Sequence, residues 1–205
     1  MEDGDESSNR PVRRLIEKAN EYNEIAGIAE IARRSFGNNT FDGILTMIGV
    51  LMGSFSSGIA NPRVVIITGL STSIAIMISG AWGAYLTESA ERTNYLNELG
   101  RSTLTNLNGS LIGRASRFAA IAVSVVDGLS PFLGAIVVLL PFFFSRWFPD
   151  IRTTYLAALG TSLVALFALG IWFGKVAKEN LIIYGIKTLL AGVFSILIGS
   201  LLSGS

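Results

Sequence analysis

Hydrophobic and polar positions fall in long blocks along this chain. Residues 41–60, 64–86, 118–144, 154–173 and 181–202 are strongly apolar, each close to the ~20 residues that a helix needs to cross a bilayer. The pattern predicts five transmembrane helices. Only Asn61-Pro62-Arg63 separates the first two, which predicts a tight antiparallel hairpin. Pro131 and Pro141 predict a kink in the third. Upstream, Leu15, Ile16, Ala19, Tyr22, Ala26, Ala29 and Ala32 recur at steps of one, three and four, with Arg14, Glu17, Lys18, Glu21 and Glu24 between them. This is the period of an amphipathic helix over about 12–34, in a cytoplasmic segment reaching 38, with Pro11 at its first position. Such a helix lies on the membrane surface or packs against another cytosolic element. Residues 1–11 are polar, acidic and predicted to be disordered. The polar segment 87–117 reads as a helical extension of the second span, a turn near Gly100 or Gly109, and a lead into the third. Residues 145–152 form an interfacial turn carrying Trp147, and 174–180 a short polar loop. The fold class is an all-α polytopic membrane protein with five transmembrane helices and an N-terminal amphipathic helix.

Composition agrees. Of 205 residues, 50% are hydrophobic and 15% charged, against about 25% charged in soluble domains. A net charge of +1 gives no case for a nucleic-acid partner. The polar start is unlike a signal peptide, which needs an early apolar core. Twelve basic residues fall in the N-terminal segment, 87–117 and 174–180; three (Arg63, Arg146, Arg152) fall on the other side, and Lys187 sits within the fifth span near its basic end. The positive-inside rule then predicts a cytoplasmic N-terminus and a C-terminus outside or lumenal.

The chain has no Cys and no His, so a metal site must be built from carboxylates, hydroxyls, carbonyls or Met sulfur. No nucleophile–base constellation supports an enzyme. Two stretches place a carboxylate in apolar sequence: FDGILTMIG at 41–49 and VDGLSPFLG at 126–134. Helical spacing puts Asp42, Thr46, Gly49, Gly53 and Ser56 on one small, polar face, which suits close helix approach and a path or site. The alternative for Asp42 is a helix N-cap. Asp127 lies deeper, four residues before Pro131, which cannot donate to its carbonyl. It is a metal or proton group, or a structural acid protonated or paired with Lys187 or a serine. In the second span Ser73, Met77, Gly80, Ala84, Glu88 and Glu91 share a face. Met77 offers a soft sulfur or simple packing, and Glu88 and Glu91 a cation-attracting mouth or a solvated helix balanced by Arg92 and Arg101. The two Asp-Gly stretches also admit a parallel internal repeat about 85 residues apart.

FDGILTMIGVLMG at 41–53, SGAWGAYLTESAE at 79–91 and GAIVVLLPFFF at 134–144 resemble the vacuolar iron transporter family of divalent-metal transporters, over about residues 30–203. The resemblance implies a homodimer whose first spans line a path between subunits. It implies export of Fe2+ or Mn2+ from the cytosol in exchange for protons, with the metal as substrate and no bound cofactor. Asp42 takes the place of the family's membrane carboxylate. A prokaryotic member, which the short loops suggest, would sit in the plasma membrane; a eukaryotic one would sit in the vacuolar membrane. The family's second span carries Ser-Met, two small residues and Gly-Glu-Tyr. Here that stretch is Ser79 to Tyr85, with Gly80 at the Met position and Ala84 at the Glu position. Met77 is then a replacement sulfur, and Asp127, outside the family pattern, a compensating ligand. The family's Glu/Met-rich cytosolic insert is not expected in full, since 87–117 has three Glu and no Met. These departures leave a second reading, a non-transporting membrane scaffold or regulatory protein on the same fold.

Overall fold

The computed structural model describes residues 17–107 and 109–203. The polar start, and residues 12–16 of the expected first helix, lie outside the described residues. The regular elements are α1 over 17–26, α2 (Ile28–Ser56), α3 (Pro62–Thr103), α4 (Leu111–Phe143), α5 (Ile151–Ala177) and α6 (Leu181–Ser203), with a 3₁₀ turn at Ser145–Trp147. Among the described residues, four helices are long and apolar enough to cross a membrane: α3, α4, α5 and, through Leu202, α6. The chain is an all-helical, multi-spanning membrane protein. α2, expected as the first of five spans, falls outside that group, because Asn38, Asn39 and Asp42 dilute its apolar run.

Helix ends follow local chemistry. The single helix expected over 12–34 is broken at Gly27, whose φ of +62° is open to glycine at little cost. The Asn23 side chain accepts from the Ala29 N–H at 2.6 Å, so the ladder cannot run on unbroken. Residues 28–34 instead open α2. α3 begins on Pro62, where a missing N–H costs nothing. It runs through Gly100 and ends where Leu104 turns left-handed (φ +52°) and Thr105 N–H reaches back to Gly100 O at 3.0 Å. The reversal therefore begins at Leu104, between the two glycines. Ser110 Oγ accepts from Gly113 N–H at the start of α4, Asp150 caps α5, and Asn180 Oδ1 accepts from Ile182 and Ile183 N–H at the start of α6.

The chain divides into two compact units. Among the described residues, the first comprises 17–34 and Ala81–Val126. In it Tyr22, Ala26, Ile28 and Ile31 pack on Ala119, Ala122 and Val123, and the Tyr22 and Phe118 rings lie 5.5 Å apart. Of the positions expected on one apolar face, Tyr22 and Ala26 take part, while Ala29 is exposed and Ile28 and Ile31, outside that expected face, are packed in.

The second unit is Ser35–Gly80 with the chain from Asp127 on. Its core gathers on α2: Ile44, Met47, Ile48, Leu51 and Met52, one helical stripe, are buried against Val65, Leu139, Phe142, Tyr155 and Leu166. Glycines set the helix spacing. A Cβ on Gly43 would stand 2.2 Å from Pro131 O, and one on Gly134 2.6 Å from Thr40 O. Thr40 Oγ1 donates to Ser130 O across the same crossing, at 3.3 Å. α5 and α6 close equally tightly. A Cβ on Gly170 would meet Thr188 Oγ1 at 2.2 Å, and Thr188 Oγ1 donates to Leu166 O at 2.8 Å.

Candidate functional site

The buried stripe of α2 leaves an opposite stripe uncovered within the second unit. Asp42, Gly49, Gly53 and Ser56 are exposed, with Thr46 half-buried between them. A Cβ built on Gly49 or Gly53 meets nothing within 4 Å. Asp42 stands fourteen residues after the first residue of α2, well inside the helix. The N-cap reading of Asp42 is therefore wrong: the helix starts at the Gly27 break, so the cap-like Asn38, Asn39 and Thr40 are helical. Asp42 heads a strip of small side chains and bare backbone. No cap geometry explains it.

Asp127 occupies a different environment. It lies inside α4, half-buried, with Oδ1 shielded from solvent. Gly80 of α3 passes directly over it: a Cβ there would stand 3.2 Å from Asp127 O and 3.6 Å from the Gly128 Cα. The position where family members carry Met is thus a helix crossing, where even a methyl group would be tight. The two Asp-Gly stretches also meet. Gly43 of the first packs on Pro131 of the second, and Thr40 on Ser130 and Gly134. Sequence reasoning missed Thr40, Ser130 and Gly134 as contact residues; the signal was the run of small residues in each stretch.

On α3, Ser73 is buried with its hydroxyl donating to Gly69 O at 2.6 Å, and Met77 is half-buried. Glu88 and Glu91 belong to the first unit and line a hollow of about 490 Å³ with Arg34, Arg92 and Tyr95. Arg92 Nε donates to Glu88 Oε2 at 2.9 Å, an i,i+4 pair in which both side chains are largely sheltered. Glu88 is therefore already balanced by a cation one turn away. Lys187 stands over the Tyr184 ring, 4.9 Å from its centroid. Among the described residues, no three His, Cys, Asp or Glu side chains come together closely enough to hold a metal ion.

Comparison with known proteins adds a family. The model of the VIT family matches residues 36–109, which cover α2 from Phe36 on, the hairpin and the whole of α3. The chain is also 34% identical over 175 residues to an uncharacterized protein of Methanocaldococcus jannaschii, a match covering 82% of this chain and 86% of that one. The VIT-matched residues 36–109 include Asp42, Thr46, Met77, Glu88 and Glu91, and leave out Asp127. With the VIT match over residues 36–109 and a relative 34% identical across 82% of the chain, the protein belongs to the VIT family and is a transport protein rather than an enzyme.

Proposed function

We propose that the chain is a homodimeric secondary transporter that exports a divalent cation, Fe2+ or Mn2+, from the cytosol in exchange for protons, with α2 as a fifth span lining the path. The observation that carries this reading is the uncovered stripe of α2. A carboxylate facing hydrocarbon costs roughly 2.5–3.5 kcal/mol at mid-membrane on insertion scales. Asp42, Gly49 and Gly53 lie on the face that a single chain leaves open. A second copy of α2 against this face would cover the glycines and bring two Asp42 carboxylates to one divalent ion. Thr46 and α2 carbonyls would complete an oxygen shell, which suits Mn2+ or Fe2+ in a chain without His or Cys. Met77 would add a sulfur, Glu88 and Glu91 would draw cations to the cytosolic mouth, and Asp127 would hold the ion or carry the counter-proton. The excess of basic residues on the N-terminal side supports a cytoplasmic N-terminus.

Metal uptake into proteoliposomes tests the reading. Asp42→Asn should abolish uptake while leaving the protein folded, and uptake at the wild-type rate would remove Asp42 from the path. The chain has no cysteine, so a single Gly49→Cys or Gly53→Cys should cross-link two copies cleanly on oxidation. The scaffold reading draws on the scattered acids and on the Glu88–Arg92 pair. It stands if wild-type vesicles take up no more metal than empty ones.

A further inference from the structure

The transport reading gives no role to a cavity of about 670 Å³ in the second unit, at the end that carries the α2–α3 hairpin, whose lining shares only Ser56 with the open stripe of α2. It lies among the last turn of α2, the first turn of α5 and the last turn of α6. Met52, Phe55 and Ile59 make apolar walls, Ser200 lies on the α6 side, and Tyr155 closes it with its ring against Phe55, centroids 5.3 Å apart. The Tyr155 hydroxyl is committed to Ile59 O at 3.0 Å. Arg152, exposed, is the charged residue among those that line the cavity. The neighbouring acid, Asp150, is not in the lining, and its carboxylate is engaged by Thr153 N–H at 2.7 Å and by the Thr153 hydroxyl.

Two further facts set the chemistry. The chain is a multi-spanning membrane protein, and this end carries the aromatic residues expected at a membrane–water boundary. Trp147 is 82% exposed, five residues before Arg152, with the Phe144 ring 5.1 Å away. Arg152 therefore sits at headgroup depth, with an apolar cavity beside it. A guanidinium binds phosphate through paired N–H donors, and the cavity is within the ~300–1,000 Å³ range of ligand sites. A free anion would gain nothing from Met52, Phe55 and Ile59, and a neutral tail nothing from Arg152. We infer that this cavity is a binding site for an anionic phospholipid, with Arg152 on the phosphate and the start of an acyl chain along Met52, Phe55 and Ile59.

The test is native mass spectrometry of the full chain released from neutral detergent after incubation with equimolar phosphatidylglycerol and phosphatidylcholine. Wild type should retain phosphatidylglycerol about tenfold over phosphatidylcholine, a difference of roughly 1.4 kcal/mol. Arg152→Gln should bring the two to parity, and Arg152→Lys should keep part of the preference. Ser200→Phe narrows the cavity without touching Arg152 and should lower retention of both lipids. It keeps the test open even if Arg152→Gln fails to fold. Equal retention by wild type, an undiminished preference in Arg152→Gln, or full retention in Ser200→Phe would each overturn the assignment. So would displacement of the lipid by millimolar inorganic phosphate, which would mark a free-anion site. A change of oligomeric state in the two variants without a change in lipid would mark an interface between copies, and would overturn it too.

Discussion

Replacing Gly43 by alanine tests the packing that holds Asp42 in place. The added Cβ would stand 2.2 Å from Pro131 O, about 1.2 Å inside the 3.4 Å at which ordinary contact begins, and 2.6 and 2.7 Å from Pro131 Cα and C. All three are backbone atoms, so no rotamer change can give way. α2 and α4 must separate locally by about an ångström. That separation also lengthens the bond from Thr40 Oγ1 to Ser130 O, already 3.3 Å, and loosens Ile44 and Met47 in the core. Overpacking of this kind costs typically 1–3 kcal/mol, with about 0.5–1 kcal/mol added if the hydrogen bond is lost. Thermal unfolding in mild detergent, followed by circular dichroism, should show a clear fall in midpoint. Gly49→Ala is the matched control within one chain: it adds the same methyl to the same helix and meets nothing of its own chain within 4 Å, so at dilutions where the copies are dissociated it should leave the midpoint within the scatter of surface substitutions, about 0.5 kcal/mol. If Gly43→Ala melts with wild type and Gly49→Ala does not, the two faces of α2 have been assigned backwards. The dimer reading would then fall with them.

The same reasoning gives three shorter tests. Gly170→Ala would put a Cβ 2.5 Å from Tyr184 O and 2.2 Å from Thr188 Oγ1, and should destabilise the α5–α6 pair by roughly 1–3 kcal/mol in the same melt. Leu104→Gly should stabilise by about 1 kcal/mol, because Leu104 is 94% exposed and holds a left-handed φ of +52° that an L side chain resists; a lower midpoint would show that its side chain matters more than its backbone. The Asp150 carboxyl lies below its ordinary value of 3.8, held there first by the Thr153 hydroxyl, then by the Thr153 N–H, with Arg152 adding to both. Its contribution is therefore complete above that value and lost as pH falls below it through the depressed one, so the advantage of wild type over Asp150→Asn should shrink toward zero in acid.

Much of the architecture was legible because lipid-scale hydrophobicity is a strong, local signal. The apolar runs at 64–86, 154–173 and 181–202 each fall within one long helix, and the run at 118–144 does so up to Phe143. What the pattern could not supply were events that depend on one backbone angle or on a distant neighbour. The N-terminal period runs unbroken past Gly27, since Ala26, Ala29 and Ala32 keep step, yet a positive φ and the Asn23 side chain split the helix there. Gly100 and Gly109 looked like equivalent turn residues, but the turn was made by Leu104, a residue with no turn propensity. Asp42 looked like a cap because polar residues precede it; their helical conformation is set by packing of Phe36 and Gly37 against Trp172 and Phe173, more than 130 residues away in sequence. The small, polar face of α2 was readable from spacing alone. Its exposure was not, because spacing says which residues share a face and not what lies opposite.

The two Asp-Gly stretches show how much a repeated pattern can conceal. Glycines serve both: Gly43 of the first stretch admits Pro131 of the second, and Gly80 of α3 admits the backbone at Asp127-Gly128, so each aspartate lies beside a tight helix crossing. Their carboxylates diverge. Asp42 points to an open strip continued by Gly49 and Gly53, while Asp127 has Oδ1 enclosed. A Met at position 80 would be tight at this crossing, because its Cβ would stand 3.2 Å from Asp127 O, a backbone atom that must shift by a few tenths of an ångström to admit it. Gly80 and the close α3–α4 approach go together: the contact is with the backbone of Asp127 and Gly128, which places that turn of α4 beside α3. Gly80→Met alone should therefore cost stability, and combining it with Asp127→Ser should not restore it, because the obstacle is the backbone of Asp127 and not its side chain.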